Sequence, residues 1–127
     1  MSIKFNIVER IRPGDSEAPK KYYPSIQSTG RVSARQLAEH ASDISTLSRP
    51  DMMAAMEALL TIILQELANG NIVELGDFGH FWLRFSAEGV EDAADVRGEQ
   101  ITTLIPRFIP GRQFKNVLAD VKFKKRR

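Results

Sequence analysis

The segment from Arg49 to Ala68 constrains the fold of this chain more than any other, because it is apolar around most of a helix. Ser48, with Asp51 three residues later, predicts the N-terminal cap, and Pro50 fits a first helical turn, where a missing N–H costs nothing. Asn69-Gly70 predicts the C-terminal end. The apolar residues recur at helical spacing and are Met52, Met53, Met56, Leu59, Leu60, Ile63, Leu64 and Leu67.

This apolar surface exceeds what one small domain needs. A monomer of 127 residues has to bury only one face of such a helix. The surplus predicts that the helix also packs against a second copy of the chain, so we expect a homodimer. The alternative is that the N-terminal strands cover the surplus. The expected dimer-interface residues are Met56, Leu59, Leu60, Ile63, Leu64, Leu67, Phe78 and Phe81.

Residues 1–32 have the pattern of an extended segment. Apolar residues alternate with polar ones near the N-terminus, which is typical of a half-buried strand. Arg12–Asp15 contains Pro-Gly and predicts a turn, and a second strand is expected over Lys21–Gln27. The domain boundary is therefore expected near residue 31, between an N-terminal β extension, 1–31, and a main domain, 32–127.

The rest of the main domain begins with a short helix and continues as strands. Ser33 and Gln36 form the pattern of a capping box, which predicts a helix over Ala34–Ala41. Residues 86–100 are polar and acidic and predict a loop or flexible arm, and the basic tail Lys122–Arg127 is expected to be mobile. Strands are predicted at Ile72–Leu75, Phe81–Phe85 and Ile101–Phe108, and a last helix at Arg112–Val121.

The charge of the chain is unevenly distributed along its length. The formal net charge is only +2, but residues 101–127 contain eight Lys and Arg and one acid, whereas residues 86–100 contain five acids and one Arg. Clustered positive charge favours a polyanionic partner without identifying it. The alternative is that these lysines are only a solvated surface.

Several classes of function are excluded or disfavoured by the sequence. The chain has no cysteine, and its two histidines, His40 and His80, are far apart, so no metal site is expected. The longest apolar run, Ala58–Leu64, is too short to span a membrane, and the N-terminus does not resemble a secretory signal. No catalytic motif is present, and Asp77 near His80 is more typical of a structural turn. We expect no enzyme activity, cofactor or small-molecule substrate.

Two motifs carry the most information about function. The first, Gly76-Asp-Phe-Gly-His-Phe81, joins two predicted strands, and its glycines permit a close approach of the backbone. Exposed N–H groups in such a turn can bind phosphate, although an ordinary glycine-rich hairpin has the same pattern. The second motif, Pro106–Lys115, places Arg112 in the first turn of a helix and Lys115 on the same side, where an anion is favoured.

The order of these elements resembles the HU/IHF family of bacterial histone-like DNA-binding proteins. The resemblance covers about residues 31–121, and the extension at residues 1–30 is similar to that of extended HU-like proteins in Bacteroidetes. Asp77–Phe81 matches the family's Gly-Phe-Gly-Ser-Phe, and Phe108–Lys115 matches its Phe-Lys-Pro-Gly-Lys-x-Leu-Lys. Ile109 stands where the family has a lysine.

The resemblance implies an α+β fold with a helical base, a three-stranded antiparallel β saddle and an arm, in an intertwined homodimer. It implies double-stranded DNA as the partner, with neither a membrane nor a small molecule involved, and a location in the cytoplasm at the nucleoid. Residues 32–127 would then be an HU-like DNA-binding domain with a basic C-terminal tail. The expected DNA-binding residues are Gly79, His80, Arg84, Arg107, Arg112, Lys115, Lys122, Lys124 and Lys125.

The arm departs most from the family. An arm of this family is rich in Arg and ends in Arg-Asn-Pro, whose Pro wedges between bases. Residues 87–100 instead contain five carboxylates, Arg97 alone and no proline. The sequence therefore predicts a largely sequence-independent, non-enzymatic DNA-binding protein that bends DNA weakly. The main alternative is an HU-like dimeric protein-interaction module with weak or no DNA binding, and RNA binding is a third hypothesis.

Overall fold

The computed structural model of the protein has a mixed α+β architecture. The described residues are 1–11, 13–14 and 17–126. The two ends of the turn predicted at Arg12–Asp15, and the last residue of the tail, Arg127, lie outside them. The contacts divide the chain into two compact units: Ala34–Lys115, and Met1–Ser33 together with Asn116–Arg127.

The helical part of the first unit contains α1 (Ala34–Asp43) and α2 (Arg49–Ala68). The Ser48 hydroxyl accepts a hydrogen bond of 3.2 Å from the Asp51 N–H, which caps α2 as predicted. The C-cap at Asn69 also agrees with the prediction. Within the described residues, no helix combines the length and apolar character needed to cross a membrane.

Three strands follow the helices and form one antiparallel sheet. They are β3 (Val73–Glu74), β4 (Gly79–Ala87) and β5 (Ile101–Pro110), in the order β3-β4-β5, and α3 (Arg112–Ala119) follows them. The three-stranded antiparallel sheet confirms this part of the predicted fold. The last strand is two residues longer than predicted, and the last helix ends two residues earlier.

Aromatic side chains fasten this sheet to the beginning of α3. Phe78 packs on Phe108 and Phe114, with centroid distances of 5.6 and 4.8 Å, and these two rings also contact each other at 5.6 Å. Phe81 packs on Phe108 at 4.8 Å. Tilted contacts of this kind stabilise beyond the area they bury. The buried hydrophobic side chains among the described residues are only Ala38, Ile63 and Leu67.

The other unit is a second three-stranded sheet. It contains β1 (Ser2–Arg10), β2 (Lys21–Ile26) and β6 (Lys122–Lys125) in the order β2-β1-β6. The first two strands are antiparallel, and β6 runs parallel to β1. The two predicted N-terminal strands are therefore present.

The C-terminal tail was predicted to be mobile, and this prediction is wrong. Backbone hydrogen bonds hold the tail beside β1 as the strand β6. The N–H of Lys122 donates to the Met1 carbonyl oxygen at 3.1 Å, and the N–H of Arg126 donates to that of Phe5 at 2.8 Å. These bonds satisfy polar groups that a free edge strand would expose. The tail consequently groups with the N-terminal extension and not with residues 34–115.

Candidate nucleic-acid interface

The two motifs that the sequence singled out are in direct contact. The Gly111 N–H donates a hydrogen bond of 2.9 Å to the Phe78 carbonyl oxygen, which ties the beginning of α3 to the turn before β4. A Cβ atom on Gly111 would overlap the carbonyl oxygen of Asp77, and one on Gly79 would overlap that of Ile109. The motifs therefore need glycine because the two backbones touch.

The register of β4 and β5 places three predicted site residues on one face of the sheet. His80 lies opposite Ile109, Trp82 opposite Arg107, and Arg84 opposite Ile105. Residues that face each other across a ladder, and every second residue along a strand, share a face. His80, Arg84 and Arg107 therefore lie together. Phe81 and Phe108, which are also paired, lie on the opposite face with the aromatic cluster.

Arg112 and Lys115 lie at the first turn of α3, directly after the contact between the motifs. They are three residues apart and exposed, so their side chains share one side of the helix. The first N–H groups of a helix lack partners within the helix and carry partial positive charge. No ion pair within the described residues neutralises either side chain. The arrangement is suited to a phosphate group.

The remaining predicted binding residues belong to the other unit. Lys122, Lys124 and Lys125 lie on β6, and all three are exposed. Side chains of a strand alternate between its faces, so Lys122 and Lys124 point to one side and Lys125 to the other. The structure thus separates three lysines that the sequence had treated as one tail.

The predicted dimer-interface residues fall into three groups. Leu59, Leu60 and Leu64 are 53%, 54% and 68% exposed, and Met56 is half-buried. Ile63 and Leu67 are buried within their own chain. Phe78 and Phe81 take part in the aromatic cluster. Their role in a dimer stays a prediction, and the exposed leucines are the ones free to contact a second copy.

The predicted arm is a loop over residues 88–100 that is closed at its base by hydrogen bonds. The Glu88 N–H donates to the Gln100 carbonyl oxygen at 3.0 Å, and the Gln100 side-chain amide donates back to the Glu88 carbonyl oxygen. The Asp92 carboxylate accepts from the Ala94 N–H at 3.1 Å, as in the first turn of a helix. Arg97 is exposed among the acids of this loop.

Other exposed cations lie outside the predicted set of binding residues. Arg35 and Arg49, near the beginnings of α1 and α2, line an open cleft of about 430 Å³ together with Glu39. Lys4 and Lys21 lie on the second sheet. The sequence around each of these four cations has an ordinary polar pattern. Only the folded structure shows which residues lie beside them.

A pair of helices, a three-stranded antiparallel sheet and a basic helix joined to a glycine turn define an HU-like protein. The chain belongs to the family described as "HU domain fused to wHTH, Ig, or Glycine-rich motif", whose family model matches residues 1–125. This match confirms the HU-like resemblance inferred from the two motifs.

The chain is similar to a curated protein and to solved structures. It is 30% identical over 87 residues to "DNA-binding protein HU" of Thermus thermophilus, across 67% of this chain and 90% of that protein. An Anabaena HU–DNA cocrystal structure superposes with a TM-score of 0.56 at 20% identity, across 70% of this chain and 99% of that one.

A candidate bacterial DNA-binding protein from Bacteroides vulgatus superposes over a longer part of the chain. Its TM-score is 0.65 at 13% identity, and the match covers 99% of this chain. The chain spans 50% of the length of that structure. The superposition therefore includes the N-terminal extension.

Proposed function

We propose that this chain is a non-enzymatic, largely sequence-independent DNA-binding protein that acts as a homodimer at the bacterial nucleoid. The observation that carries the proposal is the contact between the two motifs through Gly111 and Phe78. This contact places the cationic beginning of α3 beside the strand that carries His80 and Arg84. The similarity to HU of Thermus thermophilus supports DNA as the ligand.

The binding is electrostatic in mechanism. Arg84, Arg107, Arg112 and Lys115 pair with phosphate oxygens and release condensed counterions, so the affinity falls steeply with salt. Contacts with phosphate fix the position of a protein on the duplex but carry no sequence information. Ile109 replaces a lysine of the family pattern, which removes one such contact. We therefore expect weak sequence preference and moderate affinity.

The homodimer is proposed because the chain buries so few apolar side chains by itself. Among the described residues the buried hydrophobic side chains are Ala38, Ile63 and Leu67, whereas Leu59, Leu60 and Leu64 on α2 are more than half exposed. Exposed apolar patches of this kind are typical of subunit interfaces. In the dimer, α2 of one protomer packs against the partner, and the sheet β3–β5 of each forms half of a saddle.

The acidic loop favours a second candidate, an HU-like dimeric module that binds another protein. Glu88, Glu91, Asp92, Asp95 and Glu99 repel phosphates and attract a basic partner. Such a module would retain the dimer and show little affinity for nucleic acid.

A salt titration separates the two candidates. Fluorescence anisotropy of a labelled short duplex is measured with the intact chain, with R112Q/K115Q and with R97Q, between about 50 and 200 mM salt. We expect the double variant to flatten the slope of log K against log salt by about 2, and R97Q to leave it nearly unchanged. Failure of the intact chain to bind at the lowest salt would favour the protein-binding module.

An RNA duplex of the same sequence serves as a second ligand in this titration. Contacts with the backbone alone distinguish the two nucleic acids poorly, whereas the shape of a groove distinguishes them well. Tighter binding to DNA than to RNA is the expected result, and tighter binding to RNA would replace DNA as the proposed partner.

A further inference from the structure

The sheet β2-β1-β6 has two faces of opposite character. Cross-strand pairing places Phe5 beside Ile26 and Ile3 beside Phe123, so one face is apolar. The same register places Lys4 beside Lys124 on the other face. A sheet with one apolar face covers that face and leaves the polar one in solvent. The cations of the polar face are exposed, and Ile7, Ile26 and Phe123 of the apolar face are also more than half exposed until something covers them.

The polar face is cationic at both ends, and the uncharged residues Asn6, Val8, Tyr23 and Ser25 lie between these ends. Five of its residues are exposed cations: Lys4, Arg10, Lys21, Lys122 and Lys124. The strand positions on this face contain no carboxylate. Glu9 lies on the apolar face, and its carboxylate pairs with Lys20 at 3.2 Å. We call these five residues the cationic face.

A cleft lies at one end of the cationic face. Arg10, Lys21 and Tyr23 line it together with apolar residues of the following loop, and its volume is about 800 Å³. Arg10 and Lys21 are paired across the ladder, and Val8 is paired with Tyr23. Two of the five cations thus lie side by side in the lining of this cleft. Tyr23 adds an aromatic ring and a phenol hydroxyl to the same lining.

We propose that the cationic face is a second binding surface for the phosphate backbone of duplex DNA, separate from the site formed by α3 and β4. This inference rests on the proposed DNA-binding function. Lys4 and Arg10 are six residues apart on β1, which corresponds to about 20 Å along a strand. Two groups of cations that far apart match an extended polyanion, since duplex DNA carries a charge about every 1.7 Å along its axis. A single small anion would engage only one or two of these side chains.

Two adjacent lysines of β6 lie on opposite faces of the sheet. Lys124 lies on the cationic face opposite Lys4, whereas Lys125 lies opposite Phe5 on the apolar face. The substitutions K124Q and K125Q therefore remove the same charge from neighbouring positions on opposite sides of one sheet. A tail that attracts DNA only by its total charge would lose the same affinity in both cases.

The test is a salt titration of a labelled short duplex with the intact chain, K124Q, K125Q, K4Q/K124Q and R112Q/K115Q. We expect K124Q to flatten the slope of log K against log salt by about 1 and K4Q/K124Q by about 2, with a loss of affinity of roughly tenfold or more in the double variant. K125Q keeps the slope of the intact chain. Thermal unfolding followed by circular dichroism identifies the variants that fold normally. If a variant of the cationic face does not fold, K21Q on the same face is measured in its place.

Each result has a defined meaning. Equal effects of K124Q and K125Q, or no effect of K4Q/K124Q, would overturn the inference while the proposed function stands. If K4Q/K124Q loses affinity and R112Q/K115Q does not, the result would contradict the site formed by α3 and β4 and support the cationic face. An intact chain that binds no duplex would overturn both. Vesicles containing phosphatidylserine are a further probe, and an effect of K124Q on vesicle binding alone would overturn DNA as the ligand.

Discussion

At the residue scale, two glycines determine whether the candidate interface can form. Gly79 has a positive φ of 147°, and Gly111 has no space for a side chain beside the carbonyl of Asp77. The atoms that a Cβ would meet at either position belong partly to the backbone, which cannot move aside as a flexible side chain can. The glycine turn and the beginning of α3 are thus coupled by contact.

Gly111→Ala is expected to lower the free energy of unfolding by about 1–3 kcal/mol, because the added methyl group must push the turn away from α3. Gly98→Ala is the matched control, since a Cβ atom there meets nothing within 4 Å. The control should leave the free energy unchanged or raise it by up to about 1 kcal/mol. Urea unfolding measures both, and equal stability of the two variants would contradict the close contact.

The sequence predicted the residues of the interface better than their grouping. Arg112 and Lys115 follow from a local pattern, because a proline and a glycine mark the beginning of their helix. The separation of Lys124 from Lys125 depends on the pairing of β6 with β1, whose residues are more than a hundred positions away in the chain. No local pattern encodes the register of two strands so far apart. The sequence alone therefore groups these lysines as one basic tail.

At the element scale, the sequence also predicts features that depend on neighbouring residues and misses those that depend on distant pairing. The bounds of α2 were predicted because both of its caps are formed by neighbouring residues. The strand β6 was not predicted, because Phe123 is the only apolar residue in a run of lysines. Its parallel hydrogen bonds with β1 outweigh the low strand propensity of lysine, which is an effect of context.

The loop between β4 and β5 determines how DNA would be shaped. A wedge that unstacks bases must be apolar and firmly held at the tip of an arm. Val90 and Val96 are the exposed large apolar residues of this loop, and acids surround both of them. The loop is also closed at its base through Glu88 and Gln100. We therefore expect weak bending of DNA.

Glu91→Gln/Asp92→Asn/Asp95→Asn is expected to increase the affinity for duplex DNA, since it removes three negative charges that face a polyanion. Asparagine at position 92 keeps an oxygen that can accept from the Ala94 N–H, so the turn is preserved. Energy transfer between dyes at the two ends of a short duplex measures the bend in the same titration. A strong bend with the intact chain that disappears in this variant would show that the acidic loop is the bending device.

At the scale of the whole molecule, the chain by itself has little core. In the described part of the chain, the buried hydrophobic side chains lie on the two helices of one unit, while many large apolar residues are exposed in both units. A domain of this size is stable only when its apolar surface is covered. Assembly and folding should therefore be coupled, so that stability depends on protein concentration.

Leu60→Asp is expected to abolish the dimer and the cooperative unfolding transition together. Leu60 is 54% exposed in one chain, and in the proposed dimer an aspartate there would be an unpaired buried charge that costs about 3–5 kcal/mol. Gln65→Glu introduces the same charge at a polar position of α2 and should change neither property. Sedimentation velocity measures the mass, and the increase of Tm with concentration measures the coupling. An intact chain that sediments as a folded monomer at micromolar concentration, with a Tm independent of concentration, would contradict the homodimer.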